Sequence, residues 1–287
     1  MTASRATAPL STPAPITERP PAVTPPRRSG AAGPSAGVSW WGLVWTLIRT
    51  DFKARYHGTA SGFLWALLKP AAMFAVLVTV FSLVFRSEPT YKLDLIIGLF
   101  LFDFFTDATK TGMMALSNKS FLLTKARLPR FILVLTSLTN ALLTMTVFAV
   151  VVVAYQAFVG RAPSPGALLG FGAYLLSLAL IAIGISLGTS VLFLRYRDLN
   201  QVWDMVTQAG FFVAPIIYPL GVIPERFHLW LFLWPPTPII EFSRAAIVDG
   251  VLPTTRAHLC LGLLVTVCLV VGTVIYRRYA PRAVEYL

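Results

Sequence analysis

The chain has 287 residues, of which 56% are apolar and only 13% charged, about half the charged share of an ordinary soluble domain. With a mean hydropathy of +0.72 and its apolar residues gathered into long blocks, it is excluded from the soluble enzymes and reads as an integral membrane protein. The 24 Lys and Arg against 12 Asp and Glu leave a formal charge of +12; no compact basic patch with stacking aromatics accompanies it, so basic loops beside membrane spans, and not nucleic acid, account for the surplus.

Residues 1–37 hold eight prolines and four arginines without a periodic apolar pattern, which predicts a disordered, basic cytoplasmic tail. No apolar core of a signal peptide opens the sequence, so the N-terminus is expected to stay in the cytoplasm. The remainder, 38–287, is predicted as one membrane domain. It begins at Val38–Tyr56, interrupted by Arg49, Asp51, Lys53 and Arg55, where Trp41, Trp45, Ile48 and Phe52 recur at helical spacing opposite to a basic side. That pattern suits an amphipathic helix lying in the membrane interface; a helix packed on the protein with one side toward solvent is the other reading it leaves open.

A helix crossing about 30 Å of hydrocarbon takes roughly 20 apolar residues. The candidates in chain order are Gly62–Phe85, with Lys69 and Pro70 near its cytoplasmic end, then Leu93–Leu116, Phe131–Phe158, Ala167–Leu194, Trp203–Leu220 and His258–Tyr276. Between the last two, residues 221–250 are rich in Trp, Phe and Pro, with two apolar pieces, Leu229–Trp234 and Ile239–Ile247, each too short to cross. They are predicted as short re-entrant or interfacial helices broken at Pro235 and Pro236. The expected fold is thus all-α and membrane-integral: six transmembrane helices, an N-terminal amphipathic interface helix and two short re-entrant helices before the last span. Threading that topology puts 17 of the 24 basic residues on one side, so both termini are expected in the cytoplasm. Cys260 and Cys268 are eight residues apart in one span, a helical rise of about 12 Å that no disulfide bridges.

The chemistry-bearing motifs are sparse. Neither GxxxxGK[ST] nor GxGxxG occurs, so ATP is not expected on this chain, and neither HExxH nor a Cys/His cluster marks a metal site. Asp103 and Asp107, at i and i+4 in the second span, are charges that membrane helices turn toward a bundle interior or water. An intramembrane polyprenyl-phosphate transferase would use such a pair to hold magnesium diphosphate; it would need a second acidic cluster, and only Asp94 is nearby. A passive channel or receptor is the third class considered.

Four segments carry a family resemblance: RYHGTASGFLWALLKP (Arg55–Pro70), NKSFLLTKARLPR (Asn118–Arg130), RYRDLNQVWDMVTQAGFFVAPIIYPL (Arg195–Leu220) and WPPTPIIEFSRAAIVDG (Trp234–Gly250). In this order they resemble the membrane subunits of polysaccharide-exporting ABC transporters of the type-2 exporter family, over about Val38–Leu287; His57 departs from the basic or polar residue usual there. The resemblance implies a homodimeric permease in the bacterial inner membrane, without catalysis of its own, that works with two copies of a separate ABC ATPase subunit carrying ATP and magnesium. Its cargo would be a lipid-linked polysaccharide on polyprenyl diphosphate, of the O-antigen, teichoic acid or galactan kind.

Within that frame, Asn118, Lys119, Lys125 and Arg127 in one loop and Arg197 and Asp198 in another are the expected ATPase-coupling residues. Arg49, Lys53, Arg55 and Lys69 are expected to attract the lipid diphosphate, or else snorkel to anionic headgroups. Phe74, Phe81, Phe85, Phe211, Phe212 and Tyr218 offer aromatic faces to a passing glycan, or else pack in the core or toward lipid.

Overall fold

The computed structural model describes residues 40–56, 62–82, 90–121 and 129–281. The proline-rich tail, His57, Phe85, Lys125 and Arg127 lie outside them. Ten α-helices and no strand occur among the described residues: α1 Trp40–Tyr56, α2 Gly62–Phe81, α3 Tyr91–Asn118, α4 Arg130–Ser137, α5 Thr139–Phe158, α6 Pro165–Arg195, α7 Leu199–Val213, α8 His228–Leu233, α9 Pro236–Ile247 and α10 Thr255–Tyr279. Among the described residues, four stretches are both long and apolar enough to cross a membrane: Leu64–Phe81, Arg130–Phe158, Pro165–Arg195 and Thr255–Tyr279.

The two other predicted spans differ from these for physical reasons. α3 has 28 residues, about 42 Å of helix, but carries Lys92, Asp94, Asp103, Asp107 and Lys110 among its aromatics. The predicted span Trp203–Leu220 is helical only to Val213, because Ala214 precedes Pro215 and is driven to an extended conformation (ψ 135°), as residues before proline are. The resulting α7 has 15 residues and is about 22 Å long. Two short helices, α8 and α9, occur before the last span; the break between them falls at Trp234 and Pro235, one residue before the expected Pro235 and Pro236, because Pro236 fits the first position of α9.

α6 is the central helix, packed along α3, α9 and α10. Its approach to α10 is backbone to backbone. Gly184 and Gly188 lie one turn apart; a Cβ on Gly184 would come within 2.6 Å of the Cys268 carbonyl, and one on Gly272 would overlap the Gly184 carbonyl. This is the small-residue packing by which membrane helices gain contact where lipid supplies no hydrophobic drive. Both helices start with a side-chain cap: Ser164 Oγ accepts from the Ala167 N–H at 3.2 Å, and Thr254 Oγ1 from the Ala257 N–H at 3.4 Å.

Long-range contacts assign each helix a direction. At one end of the bundle, α1 meets the end of α3 through Asp51 and Lys119, and Arg130 at the start of α4 donates to the Ala280 carbonyl after α10. At the opposite end, Gln156 of α5 donates to the Ile247 carbonyl (2.8 Å), Tyr174 of α6 bonds His258 of α10 (2.7 Å), and Tyr91 donates to the Ile217 carbonyl beyond α7 (2.9 Å). α1 and Ala280 therefore share one end, called here the α1 end.

Candidate functional site

Three helices with different exposures build the candidate site. On α3, Asp103, Asp107 and Lys110 fall on one face at i, i+4 and i+7. Each meets an opposite charge from another element: Lys69 of α2 pairs with Asp103 at 3.3 Å, Arg55 of α1 with Asp107 at 2.7 Å, and Lys110 with both oxygens of Asp204 of α7 at 2.6 and 2.8 Å. Three of the five charges on α3, Asp103, Asp107 and Lys110, thus each meet an opposite charge, the arrangement by which charges in apolar bundles are tolerated. The indole of Trp203 donates to Thr109 Oγ1 at 3.0 Å, fixing α7 beside the same stretch of α3.

Beside this ladder, α2, α3 and α7 enclose an open cleft of about 620 Å³, the size of an ordinary ligand site. Lys69, Asp103, Asp204 and Gln208 line its part toward the α1 end. Farther along, its walls are Met73, Val76, Phe102, Phe211 and Phe212, with Phe211 set edge-on against Phe102 at 5.5 Å.

Of the expected diphosphate group, Lys69 opens into the cleft, Arg55 is taken by Asp107, and Arg49 and Lys53 stand exposed on α1. Of the expected aromatic path, Phe211 and Phe212 line the cleft, while Phe74 and Phe81 pack against the hydrophobic core. Tyr218 lies at the far end, where its hydroxyl donates to the Phe212 carbonyl at 2.9 Å.

The coupling residues divide in the same way. Asn118 ends α3 exposed, and Arg197 and Asp198 form the exposed turn from α6 to α7, with no ion pair among the described residues. Lys119 turns inward. Its side chain is 12% exposed, and its ammonium pairs with Asp51 and also lies within hydrogen-bond distance of the Leu133 carbonyl (3.3 Å), Thr136 Oγ1 (3.1 Å) and Ser137 Oγ (2.9 Å). The Leu133 carbonyl also accepts from the Thr136 and Ser137 hydroxyls. Side chains inserted into a helical ladder bend it, and the chain turns at Leu138 between α4 and α5.

Arg244 is a residue that the sequence reading counted only as a loop charge. It is buried in α9 and donates to the Asp94 carbonyl (2.9 Å), the Pro215 carbonyl (2.6 Å), the Ile216 carbonyl (3.1 Å) and Glu241 (2.8 Å). Its guanidinium satisfies the carbonyls that the break after α7 leaves unbonded, which irregular backbone at membrane depth needs. Gly98 makes room for it, since a Cβ there would come within 2.7 Å of the guanidinium. An arginine inside EFSRAAI, three residues after a glutamate, is the sequence signal for such a role.

The described residues form an all-helical bundle with four stretches able to cross a membrane and a row of paired charges between α1, α2, α3 and α7. Residues 42–248 match the model of the ABC-2 type transporter family, and the chain belongs to that family; in it the ATPase is a separate subunit. The chain is 28% identical over 235 residues to the O-antigen export system permease protein RfbA of Myxococcus xanthus, covering 79% of this chain and 88% of that protein. It is 26% identical to RfbA of Klebsiella pneumoniae, covering 85% and 95%, and 23% identical to the polysialic acid transport protein KpsM of Escherichia coli, covering 82% and 92%.

Proposed function

We propose that this chain is the permease of an ATP-driven exporter that moves a lipid-linked polysaccharide, carried on polyprenyl diphosphate, from the cytoplasm to the outer face of the bacterial inner membrane. The observation that carries this reading is the likeness, over most of the chain, to relatives whose names assign them to O-antigen export and polysialic acid transport. O-antigen, teichoic acid and galactan form the cargo class, with a cell-wall galactan among them. The permease acts as a homodimer with two copies of the ATPase, which holds ATP and magnesium.

Its topology is six spans with both termini in the cytoplasm. Supporting this, α2, α3, α4 with α5, α6, α7 with the segment to Tyr218, and α10 each run between the two ends of the bundle. The α1 end also gathers Arg197, Asp198 and Asn118, which meet the ATPase, and α1, whose Trp41 and Trp45 are 82% and 67% exposed, lies in the membrane interface. The buried Lys119 acts behind that surface, through Asp51.

The test is co-purification with a soluble ATPase from the native membrane, followed by export in reconstituted vesicles. Replacing Arg197 and Asp198 together by Ala is expected to leave the protein level normal and ATP hydrolysis running, while export falls at least tenfold, about 1.4 kcal/mol of lost coupling. Full export in that variant removes the coupling role of this turn. A dimer that never retains an ATPase removes the exporter reading.

A further inference from the structure

α10 is seated on α6 by its glycine seam, and its other faces look away from the protein. Leu263, Val267, Val271 and Val274 recur at i, i+4, i+8 and i+11 and are 48% to 66% exposed, so they form one stripe along the helix. The last turn, at the α1 end, divides its side chains. Tyr276 and Tyr279 pack against the core, while Arg277 and Arg278 are exposed. These two arginines stand three and four residues after Val274, one on either side of the stripe and one turn further on. From Val267 to Arg278 the stripe is about 16 Å long, close to half of a hydrocarbon core about 30 Å thick.

Charge at this corner is not balanced from within the described residues. Near the α1 end, Asp51 is taken by Lys119, Asp103 by Lys69, Asp107 by Arg55 and Asp204 by Lys110, and none of these carboxylates is on α6 or α10. Asp198, the further described carboxylate at this end, lies in the turn beyond α6. Arg277 and Arg278 make no ion pair among the described residues. A third arginine is close by: a Cβ on Gly188 would lie 3.7 Å from Ile275, and seven residues further on α6 ends in Arg195. An apolar stripe thus runs into a cluster of guanidinium groups, the order of chemistry of a phospholipid read from tail to headgroup.

We infer that the α1 end of α10 binds an anionic phospholipid, its phosphodiester between Arg277 and Arg278 and an acyl chain along Val274, Val271 and Val267. Guanidinium groups take phosphate oxygens in pairs, and basic clusters at the ends of membrane helices select anionic headgroups. The choline of phosphatidylcholine would bring its own cation against the arginines, whereas phosphatidylglycerol brings none. A soluble partner such as the ATPase meets the turns beyond the helix ends; this face is the body of a helix and passes without a break into the exposed valines. The bound lipid supplies the counter-charge that α10 lacks and fixes the depth of the helix in its leaflet. The inference goes beyond the exporter reading and does not depend on the glycan carried, so its failure leaves that reading untouched.

The complex of permease and ATPase is placed in nanodiscs of phosphatidylcholine containing increasing shares of phosphatidylglycerol. Native mass spectrometry counts the lipid retained, and thermal melting is followed in the same discs. The unaltered chain is expected to retain phosphatidylglycerol in preference to phosphatidylcholine and to melt higher as its share rises. Arg277→Gln and Arg278→Gln are each expected to weaken retention about fivefold, the attraction of one basic residue to an anionic surface, with the ATPase still bound. Val274→Glu gives both arginines an internal carboxylate at helical spacing. It is expected to release the lipid and make melting indifferent to phosphatidylglycerol, and it keeps the test open if the glutamine variants do not assemble. Equal retention of the two lipids, or retention that survives the glutamine variants or Val274→Glu, overturns the inference. A melting loss of the same size with and without phosphatidylglycerol also overturns it, since arginines serving only the C-terminal dipole of α10 would give that result. Loss of the ATPase with lipid retention intact overturns it as well and assigns the face to the partner.

Discussion

Arg244 and Lys119 are opposite uses of a buried cation. Arg244 spreads its donors over three carbonyls and Glu241, a fork geometry that an ammonium cannot reproduce. Removing it leaves Glu241 and the segment after α7 unbonded, so Arg244→Met is expected to cost about 3–5 kcal/mol. Thermal melting in detergent measures that loss, and Arg244→Lys is expected to recover little of it. Lys119 is instead the ion-pair partner of Asp51 among the described residues, across 68 residues of sequence. Lys119→Met is expected to destabilise by about 3 kcal/mol through the orphaned carboxylate, and the double variant with Asp51→Leu by less than the two single changes added. Full additivity in that cycle refutes the pair. Neither role was legible in the sequence. Lys119 reads there as one more basic loop residue and Arg244 as one charge on the outer side, because a partner this distant leaves no local mark. Asp103 and Asp107 were legible only as far as their shared helical face; their partners, 34 and 52 residues away, were not.

Helices were far easier to read than the contacts between them. The long apolar segments, the N-terminal helix and the break near the double proline follow from length, periodicity and proline chemistry. The early end of α7 had its signal in Pro215, which hydrophobicity summed over Trp203–Leu220 hides. The seam between α6 and α10 depends on three glycines that look unremarkable in apolar runs, although Gly184 and Gly188 have small-residue spacing. Gly272→Leu is expected to force these helices apart and cost upward of about 2 kcal/mol, overpacking against backbone that has no rotamer to yield. Gly262, on the same helix with nothing within 4 Å of a Cβ, supplies the contrast: Gly262→Ala is expected to stabilise by about 0.5–1 kcal/mol through helix propensity alone. Melting curves of the two variants that move together would dissociate the seam from ordinary glycine effects.

At the scale of the molecule, the helices fall into two sets by the kind of contact that holds them. α3, α6, α9 and α10 are joined by close packing, with the Gly184–Gly272 approach at its tightest point. α1, α2 and α7 reach α3 in large part through ion pairs and the single indole bond of Trp203. Amide hydrogen exchange is accordingly expected to be slower in α6 than in α2 and α7; uniform protection across the bundle would contradict the division. The distinction matters because the two contacts have different force laws. Dispersion between packed atoms fades within a fraction of an ångström of separation, so the glycine seam either holds or breaks. Coulomb attraction falls only with the inverse of distance, so a helix held by charges can shift by an ångström or two and remain held. The glycine seam thereby makes half of the molecule a fixed frame, and any displacement delivered at the turns of the α1 end is left to be taken up on the side where the ion pairs are.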